Sequence, residues 1–471
     1  MKRLVLRVSS LLLALSVSAS AFSQTYSLWG MTRNGGSGHT SGGYTAGVIY
    51  KYDLGTGTYS KMFDFGGTNG SLPYGSLLYF NNKLYGMTYF GGANDCGVIF
   101  EFDPVTNTYT KKYDFSSTSG AAPTGNLIAY KGKLYGMTHN GGANGSGTIF
   151  EYDPAAGTYA IKHDFSDATG SNPAGSLMVY NDTLYGMTAG GGANFNGVIF
   201  AYDPATATYS AKLSLSTSTG MGPLGNLVNY GSKLYGLTSY GGNHSYGTIV
   251  EFNPATSALT NDYDFDMDGA TPLGDLTTAG AKLYGLASVG GGSTAGGVLF
   301  EFDPATKAYN KKYEFTNSST DGPDGSLLFY NNKLYGTTSG GGVNDSGLIF
   351  SYDPATATYT SLHSFNGADG ATTRYSQLVA VPNPVGVATV KKADLVKVYP
   401  NPATEIIRVN LREQKTAHFQ LLDINGKVVI TKDLTTGTTN IDIHSSHAGN
   451  YQYRVSDASG ILSQEGKLIK E

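Results

Sequence analysis

The chain has 471 residues, a formal charge of −4, only 14% charged residues and a single cysteine, Cys96. That balance excludes the basic stripe that nucleic-acid binding needs, and one cysteine excludes an internal disulfide, leaving burial and hydrogen bonding to hold the fold. The 65 glycines and 35 tyrosines would point to disorder if scattered, but they recur with a period and so mark repeated turns and packed rings.

Residues 1–23 read as a signal peptide, because Lys2, Arg3 and Arg7 flank or precede the short apolar run Val8 to Val17. Cleavage after Ala21-Phe22-Ser23, leaving Gln24 first, is preferred to cleavage after Ala19-Ser20-Ala21. The run is shorter than the roughly 20 residues a bilayer span needs, and nothing later matches it, so no transmembrane segment is expected. Losing the three basic residues takes the formal charge from −4 to −7.

From residue 24 to 381 the chain repeats. Leu-aromatic-Gly recurs at Leu28, Leu84, Leu134, Leu184, Leu234, Leu283 and Leu334, with spacings of 56, 50, 50, 50, 49 and 51 residues, which makes seven units. Each unit carries four strand-like runs, for example KLYGMT from Lys83, GVIFEFD from Gly97, TYTKKYDF from Thr108 and GNLIAY from Gly125. Four short strands per unit of about 50 residues is the arithmetic of a β-propeller blade. The DPVTNT stretch from Asp103 is a tight hairpin in which Pro104 presets φ and Asp103 caps a downstream amide.

With the strands named a to d outward from the axis, GNLIAY is a, KLYGMT is b, and the next two runs are c and d. The first unit opens on strand b at Leu28, and SQLVAV, Ser376 to Val381, is a strand a with no partner after it. Pairing the two in one blade closes the ring and removes both exposed sheet edges. The expected fold class is all-β: a seven-bladed β-propeller of kelch-like blades followed by a small Ig-like β-sandwich.

The recurring LYGMT-x-x-GGAN-x-x-GVIF, with Asp-Gly pairs at Asp268, Asp321 and Asp369, resembles the GloVer-type (Gloeo/Verruco, choice-of-anchor) tandem-repeat family. The pattern departs at Ser119-Gly120, Thr169-Gly170 and Thr219-Gly220. The resemblance implies a propeller and no particular activity.

Residues 382–394, with two prolines and a basic pair, read as a linker, and 395–471 as a second domain. VKVYPNPA from Val396, HFQLLDINGKVV from His418, HAGNYQYRV from His447 and GKLIKE from Gly466 resemble the type A sorting domain of the type IX secretion system. Its sorting motif falls on Tyr399, Pro400, Asn401 and Pro402. The resemblance implies the type IX machinery as partner, passage across the outer membrane, and removal of this domain. Read from the residues alone, alternating apolar and polar runs and the turn at Asn425-Gly426 make it a small sandwich.

No HExxH, GxSxG, P-loop or CxxC pattern is present. His39, His139 and His244 lie in loops of the first, third and fifth units and read as solvated. Glu101, Glu151, Glu251 and Glu301 occupy one strand-c position, which suits a repeated structural bond to a neighbouring blade better than a carboxylate pair. Asp266, Asp268, Asp321, Asp324 and Asp369 read as turn formers, with no loop offering calcium the six or more oxygens it takes. Cys96 stands where other units have Ser146, Asn196 and Ser346. Tyr85, Tyr135, Tyr185, Tyr235, Tyr284 and Tyr335, with Trp29, read as inter-blade core. No cofactor and no metal is expected.

The positions at which the copies disagree are the informative ones. Between strand b and the Gly-Gly pair lie Arg33-Asn34, Tyr89-Phe90, His139-Asn140, Ala189-Gly190, Ser239-Tyr240, Ser288-Val289 and Ser339-Gly340. In a four-stranded blade the b–c and d–a loops share a face, so the candidate ligand-binding residues are Arg33, Asn34, Tyr89, Phe90, His139, Asn140 and Tyr240. The expected function is a secreted or surface-attached, monomeric binding propeller with an extracellular glycan or other polymer as ligand. The alternatives are a polysaccharide hydrolase or lyase on the same scaffold and a structural or adhesive surface protein.

Overall fold

The computed structural model describes residues 25–40, 43, 45–291, 296–316, 322–383, 396–423, 427–457 and 462–471. The expected signal peptide, most of the expected linker, Asp321 and the expected Asn425-Gly426 turn lie outside them. The chain divides into two compact units, residues 1–383 and 384–471.

Among the described residues, the first unit contains seven four-stranded antiparallel sheets. Six follow the chain, as in Leu78–Phe80, Lys83–Met87, Val98–Asp103 and Thr108–Asp114. The remaining sheet runs Val379–Pro382, Tyr26–Thr32, Val48–Asp53 and Thr58–Asp64, with Trp29 opposite Val379 and Tyr26 opposite Pro382. Blade 1 is thus built from both ends of the propeller sequence, and Asn383 adds to the closure by donating to Asp53 Oδ2 at 2.9 Å.

Burial explains the strand patterns. Strand c lies between neighbours on both faces and is nearly continuous in apolar residues, as in VIFEFD from Val98. Strand d, at the rim, alternates exposed and half-buried positions. The strand-b glycine exists to make room: Gly86 sits opposite Phe100, and a Cβ there would lie 2.5 Å from the ring. At the hairpin tip Asp103 Oδ1 accepts from Val105 N–H at 2.8 Å, which is why the turn repeats as Asp-Pro or Asn-Pro.

Strand a is shorter than the sequence suggests. Only Ile128–Tyr130 pairs with strand b, not the whole run from Gly125, and the closing strand is Val379–Pro382 instead of Ser376–Val381. The residues in between turn inward. Gly75, Gly125, Gly175, Gly225, Gly274 and Gly325 pack against the next blade's backbone so closely that a Cβ has no space.

Six of the seven seams between blades carry a ring pair between adjacent d strands: Phe63–Tyr109, Tyr113–Tyr159, His163–Tyr209, Tyr263–Tyr309, Tyr313–Tyr359 and His363–Tyr59, with centroids 3.8 to 4.4 Å apart. Between blades 4 and 5 the corresponding residues are Leu213 and Leu259.

In the second unit, Val396–Tyr399, Ile406–Leu422, Val428–Asp442, Gly449–Asp457 and Leu462–Lys470 join through the long second strand. They enclose a core that includes Ile407, Val409, Phe419, Leu421, Val455 and Leu468.

Candidate functional site at the mouth of the propeller channel

The b–c loops are held by backbone. Thr88 Oγ1 donates to Phe90 C=O at 2.9 Å, and Thr32, Thr138, Thr188, Thr238 and Thr338 make the same bond in their units. In six of the seven units the second residue of the variable pair then bridges to the d–a loop beside it, as in Asn34–Ala371, Ser71–Phe90, Ala121–Asn140 and Met221–Tyr240. The two loop sets therefore share one face. Because main chain fixes these positions, their side chains are free to differ.

At the axis a second frame closes on itself. Ser76 N–H donates to Asn126 Oδ1 at 2.5 Å, Asn126 N–H to Ser176 Oγ at 2.5 Å, and Ser176 N–H to Asn226 Oδ1. Asn226 N–H donates to Asp275 Oδ1 at 2.6 Å, Asp275 N–H to Ser326 Oγ at 2.8 Å, and Gln377 N–H returns to Ser76 Oγ at 2.6 Å. Burial pushes the Asp275 carboxyl up, against the hydrogen bond from Asn226. The space left inside is about 10 Å³, room for one water at most.

The residue before each axial glycine lines the channel mouth, and it varies: Tyr74, Thr124, Ala174, Leu224, Leu273, Asp324 and, where Ser376 replaces glycine, Tyr375. Sequence reasoning missed this position. The signal was the one used for the loop pairs, a free site inside an otherwise repeating Pro-x-Gly frame.

Two sets of variable residues meet over blades 1 and 2. Tyr74 has Arg33 Cζ 5.0 Å from its ring centroid, Tyr89 at 4.9 Å and Tyr375 at 5.9 Å. Phe90 packs edge-on against Tyr89 at 4.6 Å and is 39% exposed. Burial pushes the Tyr89 hydroxyl up, with Tyr74 adding to the rise and Arg33 opposing it. Burial does the same to Tyr375; Arg374 pulls back, and Asp324, Tyr74 and Tyr240 add to the rise. Tyr240 itself is 49% exposed. Outside this cluster a cleft of about 420 Å³ opens between blades 1 and 2, lined by His39, Thr40, Thr68, Ser71, Asn94, Asp95 and three glycines.

Not every expected residue joins the cluster. His139 and Asn140 sit on blade 3, where Asn172 Nδ2 donates to His139 C=O and Asn140 Oδ1, each at 3.2 Å. His139 is therefore not solvated: the neighbouring d–a loop half-covers it, and burial lowers its pKa. His39 and His244 are exposed. Asp324 is not a turn former; it is buried, accepts from Ser339 Oγ at 2.9 Å and lies 3.4 Å from Arg374 Nε.

The strand-c glutamates bond mainly within their own blade, through the cross-strand tyrosine: Tyr85 Oη donates to Glu101 at 2.6 Å and Tyr235 Oη to Glu251 at 2.6 Å. Among the described residues, only Lys307, from blade 6, crosses a seam to a glutamate, Glu251, at 2.6 Å. Burial alone would raise Glu251, but Lys307, Tyr235 and Lys233 hold it at about 2. The repeated tyrosines are buried and pack across seams, as Tyr185 does with Phe252 at 6.4 Å. The Cys96 thiol is 3.3 Å from Asn94 C=O, the contact Ser346 makes in its unit at 3.2 Å, and burial followed by Asp95 raises its pKa. Among the described residues, no group of three or more His, Cys, Asp or Glu is placed to hold a metal ion, and no helix is long and apolar enough to cross a membrane.

In the second unit, Asn401 of the YPNP motif donates to Lys467 C=O at 2.8 Å and accepts from Ile469 N–H at 2.9 Å. The motif is thereby tied to the final strand, which explains why both ends of this domain carry recognisable sequence.

The solved structures similar to this chain are propellers. They include the periplasmic gluconolactonase of Pseudomonas aeruginosa, at 16% identity and TM-score 0.53 over 76% of this chain and 100% of that one. A putative 6-phosphogluconolactonase of Bacteroides fragilis matches at 16% and 0.51, over 77% and 99%. PorZ of Porphyromonas gingivalis, a surface component of the type IX secretion system, matches at 14% and 0.45 over 90% of this chain and 63% of that one; the chain thus spans less than two thirds of that protein's length. At such identities the likeness is of fold alone. No curated protein matches the sequence. Residues 397–471 match the secretion-system C-terminal sorting domain, so the protein is sent by the type IX route to the cell surface or the extracellular space. Residues 16–200, 133–296 and 183–393 match the Gloeobacter/Verrucomicrobia repeat, and the chain belongs to that family.

Proposed function

We propose that the propeller is a non-catalytic binding protein of the cell exterior that holds an extracellular glycan on its loop face, over blades 1 and 2. The reading rests on one observation: Tyr74, Tyr89, Phe90 and Tyr375 gather where the repeats diverge, beside a cleft lined by hydroxyl, amide and glycine residues together with His39, Ala93 and Asp95. Aromatic rings suit the apolar faces of sugars, polar groups suit their hydroxyls, and glycines let a ligand approach main chain closely. The cleft volume falls in the range of ligand pockets, about 300–1,000 Å³. A hydrolase or lyase would need acid–base groups free to converge at the channel; the carboxylates there are engaged, Asp275 by Asn226 and Asp324 by Ser339 and Arg374.

The exported form in this reading is a monomer that has lost residues 1–23 and the sorting domain, 395–471. Intact-mass measurement on protein from the medium or cell surface checks this, and retention of Val396 to Glu471 contradicts it. Binding is tested by replacing Tyr89 and Phe90 together with alanine and screening both proteins on a glycan array; Tyr240, on blade 5, lies outside the proposed site. Lost binding with an unchanged melting temperature supports the assignment; unchanged binding moves the site elsewhere.

A further inference from the structure

Arginine is used sparingly in this propeller. Residues 24–383 contain two, Arg33 and Arg374, and both stand at the channel mouth beside the aromatic cluster. The other side-chain ion pairs of the blades are made by lysine, as in Lys83–Asp103, Lys133–Glu151 and Lys312–Glu301, or by His363. Arginine differs from lysine in presenting a planar fork that matches an oxyanion with two parallel hydrogen bonds, and in keeping its edge donors free while its face lies on a ring.

The two arginines are in different states. Arg374 has the Asp324 carboxylate 3.4 Å from its Nε. Arg33 has its Cζ over Tyr74 and makes no ion pair with any described residue; its Nε, like that of Arg374, is buried without a hydrogen-bond partner. The adjacent Asn34 Oδ1 is also buried and unpaired, an acceptor that suits a sugar hydroxyl and not an oxyanion. A buried polar atom left unsatisfied is costly, and a ligand group that pairs with it accounts for its retention.

We propose that the glycan held at this mouth is anionic and that Arg33 reads its oxyanion, a uronate carboxylate or a sulfate ester. This rests on the glycan reading above and narrows it. The test is affinity electrophoresis of the full chain through gels containing polygalacturonate, dextran sulfate or plain dextran, with wild type, Arg33→Gln and Arg33→Lys, each also melted thermally. Wild type is expected to be retarded by a charged polymer and not by dextran. Arg33→Gln weakens retention about tenfold, as loss of a charged hydrogen bond does, and Arg33→Lys restores only part, having the charge without the fork. Retardation by polygalacturonate alone assigns a carboxylate, and by dextran sulfate alone a sulfate. Retardation by dextran equal to that by the charged polymers, undiminished in Arg33→Gln, overturns the anionic inference and leaves the glycan reading standing. Retardation by neither charged polymer overturns it too, with the glycan array then deciding the broader reading.

Discussion

The channel mouth has two unlike sides built on one frame. Over blades 7, 1 and 2 the ring position holds Asp324, Tyr375 and Tyr74, with Arg33, Tyr89 and Phe90 in the adjoining loops. Over blades 3 to 6 the same position holds Thr124, Ala174, Leu224 and Leu273, and blade 4 offers only Ala189 and Gly190 in its loop. The hydrogen-bonded circle beneath runs through both sides, and the glycine ring is complete except at Ser376 in blade 1. The gathering of Arg33 and four rings on one side, against the exposed ring of Tyr240 on blade 5, is the contrast on which the proposed binding site rests.

The largest effect on this contrast comes from its foundation. Deleting residues 375–381 removes Tyr375 and most of the closing strand, opening blade 1; the melting temperature should fall on the order of 10 °C or more, or the cooperative transition vanish. A melt followed by circular dichroism checks this. Next, Tyr74, Tyr89 and Phe90 replaced together by alanine should weaken glycan binding about 10- to 2,000-fold, at roughly 0.5–1.5 kcal/mol per ring. Thr124→Ala with Leu224→Ala, on the plain side, should leave affinity within about twofold. Equal losses from both sets would erase the distinction between the sides.

Acid should divide the seams. Burial lowers the pKa of His163 and His363, so the unfolded chain takes up protons first; the stability tied to each is full above their ordinary pKa of about 6.5 and is lost as pH falls below it. His363 Nε2 meets Asp369 at 3.0 Å, whereas His163 Nε2 is buried without a partner. His163→Phe, which copies Phe63 of the first blade, should therefore reduce the fall in melting temperature between pH 7.5 and 5.5 more than His363→Phe does. The smallest effect is expected at the aliphatic seam: Leu213→Phe with Leu259→Tyr should add about 0.5–1.5 kcal/mol by stacking, read as a rise of a few degrees.

Much of this was legible in the sequence because the repeat states it seven times. The Leu-aromatic-Gly spacing gave the blade count, and the unpaired strands at Leu28 and Ser376 gave the closure. Strand a was drawn too long because Gly125 and Asn126 resemble the start of a strand, while their hydrogen bonds go around the axis to Ser176. Half of the aromatic cluster was read from the variable loop pairs. Tyr74 and Tyr375 were not, because they come from opposite ends of the propeller sequence and meet only when the ring closes. The cover that Asn172 places over His139 is likewise a contact between units, which no single unit displays.

The most direct test of the binding account is hydroxyl-radical footprinting of the protein with and without a retained polysaccharide. Protection of Tyr74, Tyr89, Phe90 and Tyr375, with Leu224 and Leu273 labelled as before, is the predicted result. Protection spread evenly around the mouth, or confined to the opposite face with the turns at Asp103 and Asp153, would contradict it.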